Sequence, residues 1–155
     1  MILVIAEQRQ GTLNRATWEV IAAAQQIDGP IKVAVAGAHV DTVATELSAA
    51  DVDEVLIVAH PALERYTPDG FVQALEQVIQ QEQPALVLCP HTYQTRDFAP
   101  KLAARVDRPI LTDCIGFKRL GAQLAFVRPM FQGKLHADVA ASGATPHFVT
   151  FQIGA

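Results

Sequence analysis

The chain has 155 residues and a formal net charge of −4, with half of its residues apolar and 18% charged. Such a chain folds as one domain with its own core, and the composition excludes an intrinsically disordered protein. Mild acidity gives no basic footprint for nucleic acid, and no apolar run is long enough to insert in a membrane.

The opening, MILVIAEQRQ, enters a strand directly at Ile2 to Ala6, with no basic n-region and no cleavage site, so it is not read as a secretory signal. Thr12 or Asn14 is placed to cap the helix that follows, which carries Trp18, Ile21, Ala22 and Ala24 to about Ile27 before Asp28-Gly29-Pro30 ends it. A second strand is predicted over Ile31 to Ala36, a short helix near Val40 to Ala49, and a third strand over Glu54 to Val58. Tyr66-Thr67-Pro68-Asp69 reads as a helix start, with Phe71, Leu75, Val78 and Ile79 as the apolar stripe. The fourth strand is Ala85 to Cys89. Pro100 belongs in a first helical turn, which predicts a helix start near Asp97, with Thr95 and Arg96 just outside it. Beyond Pro109 the texture changes. ILTDCIGFKR, AQLAFVRPMF, KLHADVAAS and PHFVTFQI read as strands with hairpin-type links, punctuated by Gly121, Gly133, Gly143 and Pro146.

Four strand–helix alternations followed by a run of strands imply a doubly wound, mostly parallel α/β sheet of order about 3-2-1-4, with a C-terminal antiparallel or mixed β extension. Ligands of such sheets collect at the carboxyl ends of the strands. Those ends carry Glu7, Gln8, His39, His60, His91 and Thr92. Glu7 and His91 are expected to flank the crevice, and Thr92, Thr95 and Arg96 to stand near the positive end of a helix. His60 and His91, about 14 Å apart across three strand spacings, are too far to share a metal, so no metal is expected. GxGxxG, GxxxxGK[ST] and GxSxG are all missing. Cys89 and Cys114 read as buried, reduced thiols of a cytoplasmic protein. In the extension, Phe126, Met130, Phe131, Phe148 and Phe151 are read as an apolar sheet edge in need of cover, with Arg128 at a strand end suited to docking a partner. Filling of the domain's own core is the alternative for those residues.

The chain resembles the N-terminal domain of electron-transfer flavoprotein alpha subunits over nearly its whole length. ILVIAEQRQGTLNRATWEVIAAA is similar to that family's opening strand and helix, and KVAVAG and DEVLIVAHPAL to its second and third strands. LVLCPHTYQTRDFAPKLAARVDRPILTDC resembles its fourth unit, and FVRPMFQGK its VRPxYxGN turn. Thr95-Arg96-Asp97 stands where the family commonly has Gly-Lys-Asn, and Gly133-Lys134 where it has Gly-Asn. The resemblance implies an adenine-nucleotide-alpha-hydrolase-like fold in one domain, residues 1–155, without the FAD-binding second domain. It implies a heterodimer with a beta subunit that passes electrons from dehydrogenases to an acceptor such as a quinone oxidoreductase. This domain would then be scaffold and subunit interface, hold no FAD on its own and contribute no catalytic group. Isolated, it would pair with a second copy of itself. Cofactor-binding candidates are Glu7, His91, Thr92, Thr95 and Arg96, and interface candidates are Arg128, Phe126 and Phe131. The rival is an adenine-nucleotide-binding domain of universal-stress-protein type, for which ASGATPH is a poor phosphate loop. A small hydrolase using His91 and Asp113 is disfavoured because no nucleophile is positioned for it.

Overall fold

Ile2–Ala6 (β1) is buried at all five positions, and a strand that is apolar on both faces needs cover on both. In the computed structural model, which describes residues 1–154, β1 lies inside a six-stranded sheet. A two-rung hairpin follows, formed by Gln8–Arg9 (β2) and Thr12–Leu13 (β3). Next come Ala16–Gln25 (α1), Ile31–Gly37 (β4), Asp41–Leu47 (α2) and Glu54–Ala59 (β5). After a short turn of 3₁₀ helix at Pro61–Leu63 come Pro68–Glu82 (α3), Leu86–Pro90 (β6) and Tyr93–Arg105 (α4). The chain continues through Ile110–Cys114 (β7), Gly116–Leu120 (β8), Gln123–Met130 (β9), Leu135–Ala140 (β10) and His147–Phe151 (β11).

The large sheet has the order β5-β4-β1-β6-β11-β7, and every pair in it is parallel. The expected 3-2-1-4 order is therefore present. On one face Val20, Ile21 and Ala24 of α1 and Val43 and Leu47 of α2 pack on Val4, Val33 and Leu88. On the other, Phe71, Leu75 and Ile79 of α3 and Phe98 and Leu102 of α4 pack on Leu3, Ile5 and Val87. The α3 start is as the residues dictate: Thr67 Oγ1 accepts the Gly70 N–H, and Pro68 occupies the first turn, where no donor is needed.

Three expectations are corrected. Ile110–Cys114 and His147–Phe151 do not belong to an antiparallel extension. They join the parallel sheet as β7 and β11, and β11 is inserted between β6 and β7. The reason is burial on both faces: Phe148 to Phe151 are all buried, as an internal parallel strand requires. Only β8, β9 and β10 form the antiparallel extension. Second, α4 starts at Tyr93, and Asp97 and Pro100 lie inside it. The bond Pro100 cannot make would go to the Arg96 carbonyl, and both residues are exposed, so water replaces it and the helix continues. Third, Phe126, Phe148 and Phe151 are not an exposed edge. Phe126 is 1% exposed and meets Phe151 edge-on, with ring centroids 6.1 Å apart. The antiparallel sheet thus closes the core around Cys114 and Phe151. Phe131 stands apart at the β9–β10 turn, 70% exposed.

Phe126→Ala is expected to cost about 3–5 kcal/mol, and Phe131→Ala within about 0.5 kcal/mol. Urea unfolding measures both. Equal midpoints for the two variants would contradict this division between core and surface.

Candidate functional site

The carboxyl ends of β1, β6, β11 and β7 open into a cleft of about 1160 Å³, walled among others by Glu7, His91, Thr92, Tyr93, Arg96 and Asp113. It lies where the crossovers diverge, since β1 leads to β4 on one side and β6 leads to β7 on the other.

Glu7 is the hub of the floor. Its Oε1 accepts from Asn14 Nδ2 at 2.8 Å and its Oε2 from the Thr92 hydroxyl. Both donors are themselves caps. Asn14 Oδ1 accepts the Ala16 N–H at 3.0 Å, and Thr92 Oγ1 accepts the Thr95 N–H at 3.1 Å. One carboxylate therefore faces the positive ends of α1 and α4 together, the sign such ends favour. Thr92 and Thr95, both buried, are joined at 3.2 Å.

Tyr93, in the first turn of α4, is 90% exposed, and the Arg96 guanidinium lies 5.7 Å from its ring centroid. Asp97 accepts from the Tyr66 hydroxyl at 2.7 Å, which ties α4 to the loop before α3. Burial, and then the Asp97 carboxylate, raise the Tyr66 phenol well above its ordinary value, so it stays a donor.

His91 follows β6. Its Nδ1 lies 2.8 Å from Thr150 Oγ1 on β11, and its Nε2 lies 3.7 Å from Asp113 Oδ1 on β7. Asp113 is held at φ +62°, a conformation L residues seldom take, and its N–H donates to the same Thr150 Oγ1 at 3.0 Å. Burial lowers the affinity of the imidazole for a proton. Asp113 pulls the other way, and Arg96 and Arg128 push it further down. The thiols are inert: burial drives Cys89 far up and Cys114 up to about 11, and both are free.

The five cofactor-binding candidates are thus gathered in one place, but in two roles. Glu7, Thr92 and Thr95 spend their polar atoms on each other and on helix ends, while His91 and Arg96 face the cleft. His60 lies elsewhere, with Nδ1 accepting the Ala62 N–H. Among the described residues no cluster of His, Cys, Asp and Glu suited to a metal ion is present, and no helix is long and apolar enough to cross a membrane. Arg128 is half-buried, and its charge is felt by His91 and Cys114. Tyr66, Tyr93 and Thr150 were not singled out from the sequence. The Tyr66-Thr67-Pro68 cap signal placed Tyr66 beside a helix start, but nothing local aims its hydroxyl at Asp97.

A parallel sheet with two late strands, a polar cleft at its carboxyl end and a protruding antiparallel hairpin defines a doubly wound α/β domain without a glycine-rich phosphate loop. Residues 2–155 match the family model described as the electron transfer flavoprotein domain, and the chain belongs to that family. It is 38% identical over 135 residues to the electron transfer flavoprotein subunit alpha of Bacillus subtilis, covering 86% of this chain and 42% of that protein. It is 28% identical over 140 residues to the subunit of the same name from Syntrophomonas wolfei, covering 90% and 44%. With the acryloyl-CoA reductase electron transfer subunit beta of Anaerotignum propionicum it shares 31% identity over 117 residues, 73% of this chain and 32% of that one. The chain spans less than half the length of these relatives. The family match does not favour the universal-stress-protein alternative.

An imidazole that binds its proton less readily when folded makes the unfolded state the stronger proton binder. The stabilisation is complete above the ordinary value of about 6.5 and is lost as pH falls from there through the folded value. Thermal midpoints measured downward from pH 7 are expected to fall more steeply below pH 6.5 in the parent than in His91→Gln. Parallel curves would assign the histidine no part in this dependence.

Proposed function

We propose that the chain is the amino-terminal domain of an electron transfer flavoprotein alpha subunit, a cytoplasmic carrier that takes electrons from dehydrogenases and delivers them to an acceptor such as a quinone oxidoreductase. Its part is to be scaffold and subunit interface for the beta subunit, with no catalytic group of its own. The two buried free thiols accord with a reducing compartment.

One observation carries the interface role. Met130 of β9 and Leu135 of β10 are directly paired, share a sheet face with Arg128, and are exposed together with Phe131 at the turn. The same face begins inside the core at Phe126 and runs outward to this apolar tip. A sheet face that starts in the core, passes Arg128 and ends in exposed apolar side chains suits a protein partner.

FAD is implied by the family. When bound, it supplies the one- and two-electron chemistry of the carrier. The residues here do not fit it. The first strand-to-helix turn, where a dinucleotide would lay its diphosphate, is filled by the β2–β3 hairpin. Gln8 bonds the Ala36 carbonyl and the Gly11 N–H, and a Cβ on Gly37 would come within 2.6 Å of Gln8 Nε2. The cleft also presents four carboxylates, Glu7, Glu64, Asp97 and Asp113, against three guanidinium groups, Arg9, Arg65 and Arg96, a poor balance for a diphosphate. We therefore assign FAD in the heterodimer to the beta subunit and to a second domain of the alpha subunit.

The purified chain is expected to carry far less than one equivalent of flavin. The double variant Met130→Asp, Phe131→Asp should bind an electron transfer flavoprotein beta subunit at least about tenfold more weakly at unchanged thermal midpoint. Stoichiometric flavin on the chain alone, or undiminished association of the variant, would refute the assignment.

A further inference from the structure

The hydrogen bonds around His91 and Asp113 favour one polarity for the pair. Thr150 Oγ1 accepts the Asp113 N–H. Its single proton has, among the described residues, His91 Nδ1 as its acceptor, 2.8 Å away. Nδ1 is then an unprotonated acceptor, and the neutral ring carries its hydrogen on Nε2. Nε2 lies 3.7 Å from Asp113 Oδ1, beyond the reach of a hydrogen bond. Thr150, 1% exposed, anchors the ring from β11, and the same hydroxyl fixes the backbone of Asp113 in its left-handed conformation. A donor and an acceptor thus stand 3.7 Å apart, with side chains 18% and 40% exposed, in the cleft wall.

A group that both accepts and donates suits such a pair, and an alcohol does so through a single oxygen. An alcohol oxygen about 2.8 Å from both atoms accepts from Nε2–H with a lone pair and donates its own hydrogen to the carboxylate. A carbonyl could only accept, an ammonium could only donate, and a phosphate would be repelled by Asp113. We propose that His91 and Asp113 form a subsite for a hydroxyl group of a small polyhydroxylated ligand, a sugar or the ribose of a nucleoside. The exposed ring of Tyr93, with Arg96 against it on the same cleft wall, offers a stacking platform that would favour a nucleoside over a bare sugar. The subsite depends on this geometry alone and is independent of the electron-transfer assembly.

Asp113→Gly is the informative variant. Glycine takes φ +62° without strain, keeps the N–H that Thr150 accepts, and removes only the carboxylate, so the thermal midpoint should hold or rise. The experiment titrates the full 155-residue chain with adenosine and, separately, with D-ribose, following the His91 ring resonances by NMR. Saturable shifts are expected in the parent, tighter for adenosine than for ribose, with binding weakened about tenfold or more in Asp113→Gly. Ribose binding as tightly as adenosine would retain the hydroxyl subsite and remove the stacking preference. No saturable shift with either probe would mean that the pair is bridged by water alone, and equal affinities in parent and variant would remove Asp113 from any site. Either result overturns the proposal.

Discussion

The Glu7 carboxylate is the contact around which the carboxyl end of this sheet is arranged. It stands at the end of the innermost helix-linked strand and accepts from two side chains, each of which caps a different helix. Neither capping residue is free to choose its rotamer, because each spends its donor on the carboxylate and its acceptor on a helix amide. The arrangement couples α1, on one face of the sheet, to α4, on the other, through a single charged group. A half-satisfied carboxylate at that position would leave a partly buried charge without its donors, a costlier state than the sum of two hydrogen bonds suggests. Around the cleft Gln8, Glu7, Thr92, Thr95 and Asp97 are all committed internally, while Arg9, Arg65 and Arg96 also line it.

The second constraint is the cover of the sheet. Helices α1 and α2 do not extend to the side of β11 and β7, and there the antiparallel unit serves as the lid of the core. Phe126 and Ala125 are buried as thoroughly as any residue of the parallel sheet. A segment that looks like an appendage in sequence order is, at its base, part of the hydrophobic core, and becomes a surface only toward Met130, Phe131 and Leu135. Interior and interface share one strand, and the transition takes place between Phe126 and Met130.

Where local chemistry decides, the sequence was a good guide. Continuous apolar runs located the four leading strands, the 3-2-1-4 order followed from the alternation with helices, and Thr67-Pro68 announced α3. It failed where a distant partner decides. Nothing within ILTDC or PHFVTF states that these runs pair with each other and with LVLCP in parallel; their lengths and turns suit an antiparallel meander equally well. Pro100 was read as a boundary because a proline usually is one, yet the lost bond falls on the exposed side of α4, where it costs little. Glu7 and His91 lie at the strand ends as expected, since fold class alone puts them there, whereas Arg96, expected just outside a helix, lies within the first turn of α4. Which of them face inward to helix caps and which face the cleft depends on Asn14 and Thr150, whose roles appear only when three strands are brought together. The left-handed backbone at Asp113 has no signature in its own identity beyond the mild tolerance of aspartate for that region.

The placement of β11 has a consequence for biosynthesis. β11 goes between two strands that are synthesised before it, so β6 and β7 are joined only through it and that part of the sheet stays open until Phe151 has emerged. During that interval the nascent polypeptide displays two unpaired strand edges, the apolar LVLCP and the mixed ILTDC, both separated in sequence from the segment that will cover them. Long-range parallel pairing of this kind is slow and exposed to aggregation. A nascent chain stalled before His147 would present those edges to its neighbours, so emergence of the His147–Phe151 segment is the step that closes this sheet and guards it against clumping.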